Sequence, residues 1–411
     1  MGIIVMKFGG TSLADPDHID RVADKVVCEM QAGNKVAVVV SAMSGVTNRL
    51  VGYCTQISQV HDMREYDTVV SAGEQITSGL MAIALQKRGV NARSWLGWQL
   101  PVRTNDVYGK ARIESIDTRE LHAYLDDGGV AVVPGFQGVS DEGRITTLGR
   151  GGSDTSAVAL ASALNADRCD IYTDVDGVYT ADPRLVPEAR KIDRIAYEEM
   201  MELASLGSKV LQTRSVEMGA KSKVPIQVLS SFDEELGSAL KGTLVVAEEN
   251  IVEQEIVSGI AHRLDEAKVT IIGLEDVPGM ATQIFGPLAK AGINVDMIVK
   301  NIANDGLTDL TFTLEKTQLA LALKTIEEKV TVSYKEIVTD ENVSKISVVG
   351  VGMRSHSGVA NKMFKALADK GINIQVISTS EIKVSVLIHS DYTELAVRTL
   401  HAAYELAEGE D

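Results

Sequence analysis

Thr147-Leu148-Gly149-Arg150-Gly151-Gly152-Ser153-Asp154-Thr155-Ser156-Ala157-Val158-Ala159-Leu160-Ala161-Ser162-Ala163-Leu164 is the stretch whose reading decides the fold. Glycines surround one arginine and run directly into an alanine-rich helix former. Glycines let backbone N–H groups approach an anion, and the helix N-terminus aims further donors at the same place. Arg150 adds a planar fork suited to a carboxylate or a phosphate. Ser153 is expected to cap the helix, and Asp154 to lie in its positive first turn. A plain strand-to-helix turn with a surface arginine needs fewer small and polar residues than this. An anion site at a strand-to-helix junction is therefore expected.

Outward from that junction, the first 245 residues alternate short Val/Ile-rich runs with longer amphipathic ones. Residues 3–7, 36–40, 130–133 and 169–173 read as buried strands; 16–31, 68–87, 154–164 and 197–220 read as helices. This alternation predicts an α/β domain with a mainly parallel sheet covered by helices on both faces. Ligands in such folds bind beyond the carboxyl ends of the strands, where the polar segments of this chain fall.

Residues 247–255 break the pattern and read as a linker. Beyond them one unit occurs twice. Gly279 and Gly358, and the triplets Gly292-Ile293-Asn294 and Gly371-Ile372-Asn373, are each 79 positions apart. Both copies read strand, loop, helix (281–291 and 360–370), strand, strand, helix, a ferredoxin-like βαββαβ unit. The expected division is residues 1–245, a joining segment 246–263, and two repeats at 264–342 and 343–411.

Composition narrows the function. A chain of 411 residues suffices for two or three domains. No apolar run approaches the roughly 18 residues of a membrane helix. The chain opens on a strand-like run without a basic leader, so no secretion signal is expected. The three cysteines show no metal spacing and fit a reducing cytoplasm. A formal net charge of −17 argues against nucleic acid as a partner, but leaves room for a local basic site that takes a small anion.

Several further segments could meet such a ligand. Lys7 ends the first strand and is followed by Phe8-Gly9-Gly10-Thr11-Ser12, a placement suited to phosphate, although a lysine beside a turn is common. Ser41-Ala42-Met43-Ser44-Gly45-Val46-Thr47-Asn48 follows the second strand and reads either as a polar cradle or as an ordinary loop. Glu74 lies in a helix among small residues that permit close approach, yet most helical glutamates are simply solvated. The run from Thr173 and Asp174 through Tyr179 and Asp182 to Arg184 reads as a nucleotide-binding loop or a surface hairpin. Lys209 is a further candidate for phosphate. No Gly-x4-Gly-Lys-Ser/Thr motif occurs, so a P-loop is excluded. The seven histidines lie outside all these motifs, so histidine-based acyl transfer and metal hydrolysis lack their usual components.

Taken together, the motifs at residues 7–12, 41–45, 147–155 and 173–184, followed by the tandem repeat, resemble the aspartate kinases of the amino acid kinase family, with the repeats as ACT regulatory modules. The resemblance spans essentially the whole chain. It implies a three-layer catalytic domain that phosphorylates the side-chain carboxylate of L-aspartate with ATP and Mg²⁺, opening lysine, threonine and methionine biosynthesis. Carbamate, glutamate or acetylglutamate kinases of the same class would not need the tandem modules, and a non-catalytic sensor would not need Lys7, Arg150 and Asp154.

By that resemblance Lys7 binds the transferring phosphate, Asp154 orients it, and Arg150 clamps the substrate α-carboxylate. Glu74 pairs with the α-ammonium, while Ser41, Thr47, Gly151, Gly152 and Ser153 line the aspartate site. Phe8, Gly9, Gly10, Thr173, Asp174, Tyr179, Asp182, Arg184 and Lys209 surround ATP. The modules would sense lysine or threonine through Asp276, Gly279, Ala281, Asn294 and Asp296, and through Gln375 and Glu381 in the second copy. Lys300 stands where the family commonly has glutamine, which bears on effector choice. Residues 256–262 would complete the second module, and pairing of modules between chains implies a homodimer or homotetramer.

Overall fold

The Val-rich runs lie side by side in one eight-stranded sheet. In spatial order it holds Arg194–Ala196, Thr243–Val246, Ile226–Ser230, Arg168–Thr173, Ile3–Phe8, Lys35–Val40, Val130–Pro134 and Ala92–Ser94. Every neighbouring pair is parallel except Ile226–Ser230 against Thr243–Val246. The structure, a computed structural model, describes residues 2–207, 210–233, 237, 242–251, 255–302 and 307–407. It divides into two units. One comprises Met1–Val178, Lys191–Ser205 and Lys209–Glu253, and the other Tyr179–Arg190, Leu206–Ser208 and Gln254–Asp411.

In the first unit the two central strands, Ile3–Phe8 and Lys35–Val40, are buried on both faces, which is why they read as unbroken apolar runs rather than alternating ones. Met6, Phe8, Val38, Met81 and Leu85 belong to one core cluster packed on this sheet. Strand Ile3–Phe8 has its sequence neighbour Lys35–Val40 on one side and the much later Arg168–Thr173 on the other. The strand order therefore reverses there, and a crevice opens beyond the carboxyl ends of these three strands. Lys7 stands at this end, level with Val39 and Ile171.

Three sequence expectations need correction. The span 68–87 is two helices, Met63–Val70 and Ala72–Lys87, because Ser71 closes the first with its N–H on Asp67 O and opens the second. The span 197–220 is also two, Tyr197–Ser205 and Thr213–Ser222. Between them Gly207 adopts φ +114°, a conformation that cannot continue a right-handed helix. The helix after Arg150 is Gly152–Ala163, capped by Gly151 at φ +70° rather than by Ser153. A second sheet, not expected from the residue pattern, holds Ile113–Ile116, Val102–Thr104, Gln137–Val139 and Ile145–Thr147, and its last strand leads straight into the arginine loop.

In the second unit both repeats share one antiparallel six-stranded sheet. Its order is Asp296–Ile302, Leu307–Leu314, Gly259–Glu275, Glu336–Val349, Lys383–His389 and Val376–Thr379. The long strand Gly259–Glu275 serves both copies. Residues 259–263 pair with 345–349 of the second repeat, while 267–275 pair with the first repeat's Leu307–Leu314. Helices Met280–Lys290 and Val359–Asp369 each start after a left-handed glycine, Gly279 at φ +90° and Gly358 at φ +97°, so the 79-residue spacing corresponds to a repeated strand-to-helix turn. Among the described residues no helix is long and apolar enough to cross a membrane.

Candidate active site

Beyond the reversal point of the first unit lies a cavity of about 730 Å³ lined by segments far apart in sequence. The ladder of the central strands runs directly into its loops: Ser41 N–H donates to Phe8 O at 3.1 Å, and Gly135 N–H to Val40 O at 2.9 Å. Close packing of these loops needs glycine at particular points. A Cβ on Gly10 would lie 2.9 Å from Ala42 O, and one on Gly73 only 2.7 Å from the Ala42 methyl. The small residues beside Glu74 thus let its helix press against the 41–45 loop.

Two helices begin at this cavity. Val46–Ile57 follows Gly45 at φ +75°, and Gly152–Ala163 follows Gly151 at φ +70°; neither has a side-chain cap. Gly45, Thr47 and Asn48 line the cavity from one helix start, and Gly151, Gly152, Ser153 and Asp154 from the other. Uncapped first-turn N–H groups of two helices therefore border one space, an arrangement that favours anions.

The charged side chains complete the site. Lys7 Nζ lies 2.5 Å from Asp154 Oδ1, and both side chains are about nine-tenths buried. Arg150 lines the cavity, exposed, with no ion-pair or hydrogen-bond partner for its guanidinium among the described residues. Glu74 is buried. Its Oε1 accepts from Ala42 N–H at 3.1 Å, while Oε2 has no partner among the described residues. Burial drives its carboxyl up from 4.5 to about 7, against the pull of the Ala42 hydrogen bond. A cation arriving at the free oxygen would restore the ionised form. A chain of strongly negative net charge thus keeps Lys7, Lys110 and Arg150 around one cavity whose lining carboxylates are Glu74 and Asp154.

The structure brings Lys7, Gly10, Ser41, Thr47, Glu74, Arg150, Gly151, Gly152, Ser153 and Asp154 to this one cavity. Gly9 lies beside it, since a Cβ there would be 3.5 Å from Lys7 Nζ. The ring of Phe8 is turned into the core, stacked on Tyr172 at 4.6 Å between centroids, so only its backbone is available to a ligand. Thr173 donates to Asp174 at the end of its strand. Tyr179, Asp182 and Arg184 belong to the second unit, where Arg184 forms a two-bond fork with Asp182. Lys209 lies outside the described residues.

Sequence reasoning missed Asp67, Tyr66, Lys110 and Phe136. Tyr66, Lys110 and Phe136 line the cavity, and Phe136 takes φ +68°, unusual for a bulky residue. Asp67 is fully buried and holds Thr147 and Gly109, two cavity-wall residues, by three hydrogen bonds. An aspartate in a helix carries no local signal for such a role.

In the second unit the effector candidates are mostly engaged already. Asp276 pairs with Lys300, Asp296 with the buried Lys345, and Gln375 accepts from Lys268. Lys345 also lies 3.6 Å from buried Glu266. Lys345 holds the Asp296 carboxyl below its ordinary range although burial opposes this, while burial lifts Glu266. Glu381 faces Arg354 at 3.7 Å. Gly279 is a helix cap with open space about its α-carbon, and Ala281 and Asn294 are exposed.

Comparison with known proteins agrees with this geometry. A model of the amino acid kinase family matches residues 2–230, and one of the ACT domain matches 269–330 and 346–404. An aspartokinase of Pseudomonas aeruginosa is 54% identical over 407 residues, covering 99% of this chain and 98% of that protein. One from Helicobacter pylori is 50% identical over 408 residues, covering 98% and 99%. Among solved structures, E. coli aspartokinase III in complex with aspartate and ADP (R-state) superposes with a TM-score of 0.81 at 29% identity, covering 98% of this chain and 99% of that one. The same enzyme with lysine and aspartate (T-state) gives 0.78, covering 97% and 99%.

Proposed function

Because this chain belongs to the amino acid kinase family and, within it, to the aspartokinases, we propose that the cavity around Lys7 and Arg150 is where the γ-phosphoryl group of ATP passes to L-aspartate. The product of an aspartokinase is 4-phospho-L-aspartate. The observation that carries the assignment is the meeting, at one cavity, of two uncapped helix starts, the buried Lys7–Asp154 pair and an Arg150 unpaired among the described residues.

The chemistry suits these groups. The side-chain carboxylate of aspartate, with a reference pKa near ~3.9, is already an anionic nucleophile at neutral pH, so no general base is required. The barrier lies in bringing two anions together and stabilising charge on the moving phosphoryl group. Lys7, held by Asp154, supplies a fixed ammonium to that group, and the first turn of Gly152–Ala163 adds N–H donors. Arg150 takes the α-carboxylate in a two-bond fork, Glu74 takes the α-ammonium on its free oxygen, and Ser41, Thr47 and Ser153 complete the polar wall. Thr173 and Asp174, with the backbone of residues 8–10, lie on the nucleotide side. Mg²⁺ brought with ATP neutralises phosphate charge. Of the two cavity carboxylates, Asp154 is engaged by Lys7 and Glu74 by Ala42, which suits a cation that stays on phosphate oxygens and water.

The second unit takes end products of the pathway, lysine, threonine or both. Its acidic candidates Asp276 and Asp296 already hold this chain's own lysines, so a cationic effector must share or displace them. Ile298 and Ile377, about half exposed on the two outer strands, offer apolar surface for pairing with a second copy of the chain. Initial rates with aspartate and ATP, with lysine and threonine added singly and together, test the whole reading. Phosphoryl transfer indifferent to aspartate, or favouring glutamate, contradicts it.

A further inference from the structure

We propose that Asp67 is a positioning residue for the phosphoryl-transfer reaction, which sets the arginine loop from behind and thereby fixes the direction of Arg150; the inference rests on the assignment of Arg150 to the substrate α-carboxylate. Asp67, in helix Met63–Val70, is fully buried and does not line the cavity. Its Oδ1 accepts from Thr147 Oγ1 at 2.7 Å; its Oδ2 accepts from Thr147 N–H at 2.8 Å and from Gly109 N–H at 2.9 Å. One carboxylate thus ties together two chain segments that both form the cavity wall. Thr147 is the last residue of strand Ile145–Thr147, which leads into the loop that carries Arg150.

A second brace acts on the next residue. Arg214, from helix Thr213–Ser222, donates to Leu148 O at 3.1 Å and to Ala111 O at 3.0 Å. Ala111 N–H in turn donates to Thr147 O at 2.8 Å. The loop then continues through two left-handed glycines, Gly149 at φ +79° and Gly151 at φ +70°, a conformation that glycine takes without steric cost. With Arg150 unpaired between these glycines, its aim depends on where the anchored residues Thr147 and Leu148 hold the loop. An amide in its place keeps one accepting oxygen and sets an NH₂ where the other stood, so either the two N–H groups or the Thr147 hydroxyl lose their acceptor and the loop shifts to satisfy them. Displacements on the order of 1 Å in a positioning element cost up to about 100-fold.

The test uses the full-length chain with Asp67→Asn, alone and combined with Arg150→Ala, and Thr147→Val as a milder variant that removes only the hydroxyl contact. Asp67→Asn is expected to raise the KM for aspartate about 10- to 100-fold, with kcat and the KM for ATP within about threefold, and Thr147→Val to raise it less. In the Arg150→Ala background Asp67→Asn should add nothing further. A full additional effect there, or a loss confined to kcat with the aspartate KM unchanged in both Asp67→Asn and Thr147→Val, overturns the positioning role. An Arg150→Ala chain with an unaltered aspartate KM instead overturns the assignment of Arg150.

Discussion

Replacing Glu74 by glutamine should change the stability of the ligand-free protein in a pH-dependent manner. Burial raises this carboxyl from 4.5 to about 7. An acid raised in the fold holds its proton more tightly folded than unfolded. The contribution is therefore harmless below about pH 4.5 and increasingly destabilising as pH rises through that window, reaching about 3 kcal/mol once the group is ionised in both states. Glutamine keeps an oxygen for the Ala42 N–H but places an NH₂ where Oε2 has no partner. That orphan costs about 1–3 kcal/mol at every pH. The absolute sign at one pH is thus a poor test, whereas the slope is a good one. Between about pH 5 and pH 8.5 the variant should gain about 2–3 kcal/mol relative to the parent, or about 4–12 °C in Tm at about 2–4 °C per kcal/mol. Thermal unfolding of both chains without ligands, across that range, reads it directly. A Tm gap that stays constant with pH refutes the argument that Glu74 is a buried carboxylate waiting for a cation.

Three further outcomes are expected. Lys7→Ala should lower kcat by at least about 100-fold, the order found for loss of one charge-stabilising donor, and near-normal turnover removes Lys7 from the chemistry. Arg150→Ala should raise the aspartate KM while nucleotide affinity, measured by calorimetry, stays largely intact; a collapse of nucleotide binding assigns the arginine to the other ligand. Lys345→Ala leaves half-exposed Asp296 without its lysine and buried Glu266 with Arg263 alone, and should cost about 1–3 kcal/mol in denaturant unfolding of the second unit. A loss below about 1 kcal/mol shows that the cluster is solvated.

The parts of this structure that sequence reveals are those with local causes. Continuous apolar runs gave the strands Ile3–Phe8 and Lys35–Val40 to within a residue, because a strand buried on both faces needs no alternation. The repeated glycines gave the paired helix starts at Met280 and Val359, because a left-handed cap favours glycine. The cavity's glycines, Lys7 and Arg150 were legible for the same reason. What escaped depends on distant partners. Ser153 looks like a cap, yet Gly151 holds that position because the chain must turn through φ +70° there. Ser71 and Gly207 break two stretches whose apolar periodicity continues across the break. The four-stranded sheet escaped because its strands are three or four residues long and rich in threonine and other polar residues. Asp67 shows no signal at all, since its three donors lie 42 and 80 positions away.

The central claim is that one cavity holds the acceptor amino acid by both its α-groups while presenting its side-chain carboxylate to the phosphoryl group at Lys7. A crystal structure of this chain with L-aspartate and a non-hydrolysable ATP analogue tests it most directly. The α-carboxylate is expected within hydrogen-bond reach of Arg150, the α-ammonium on Glu74 Oε2, and the terminal phosphate on Lys7 Nζ. Aspartate bound with its side-chain carboxylate on Arg150 and its α-carboxylate towards Lys7, or bound outside this cavity, contradicts it.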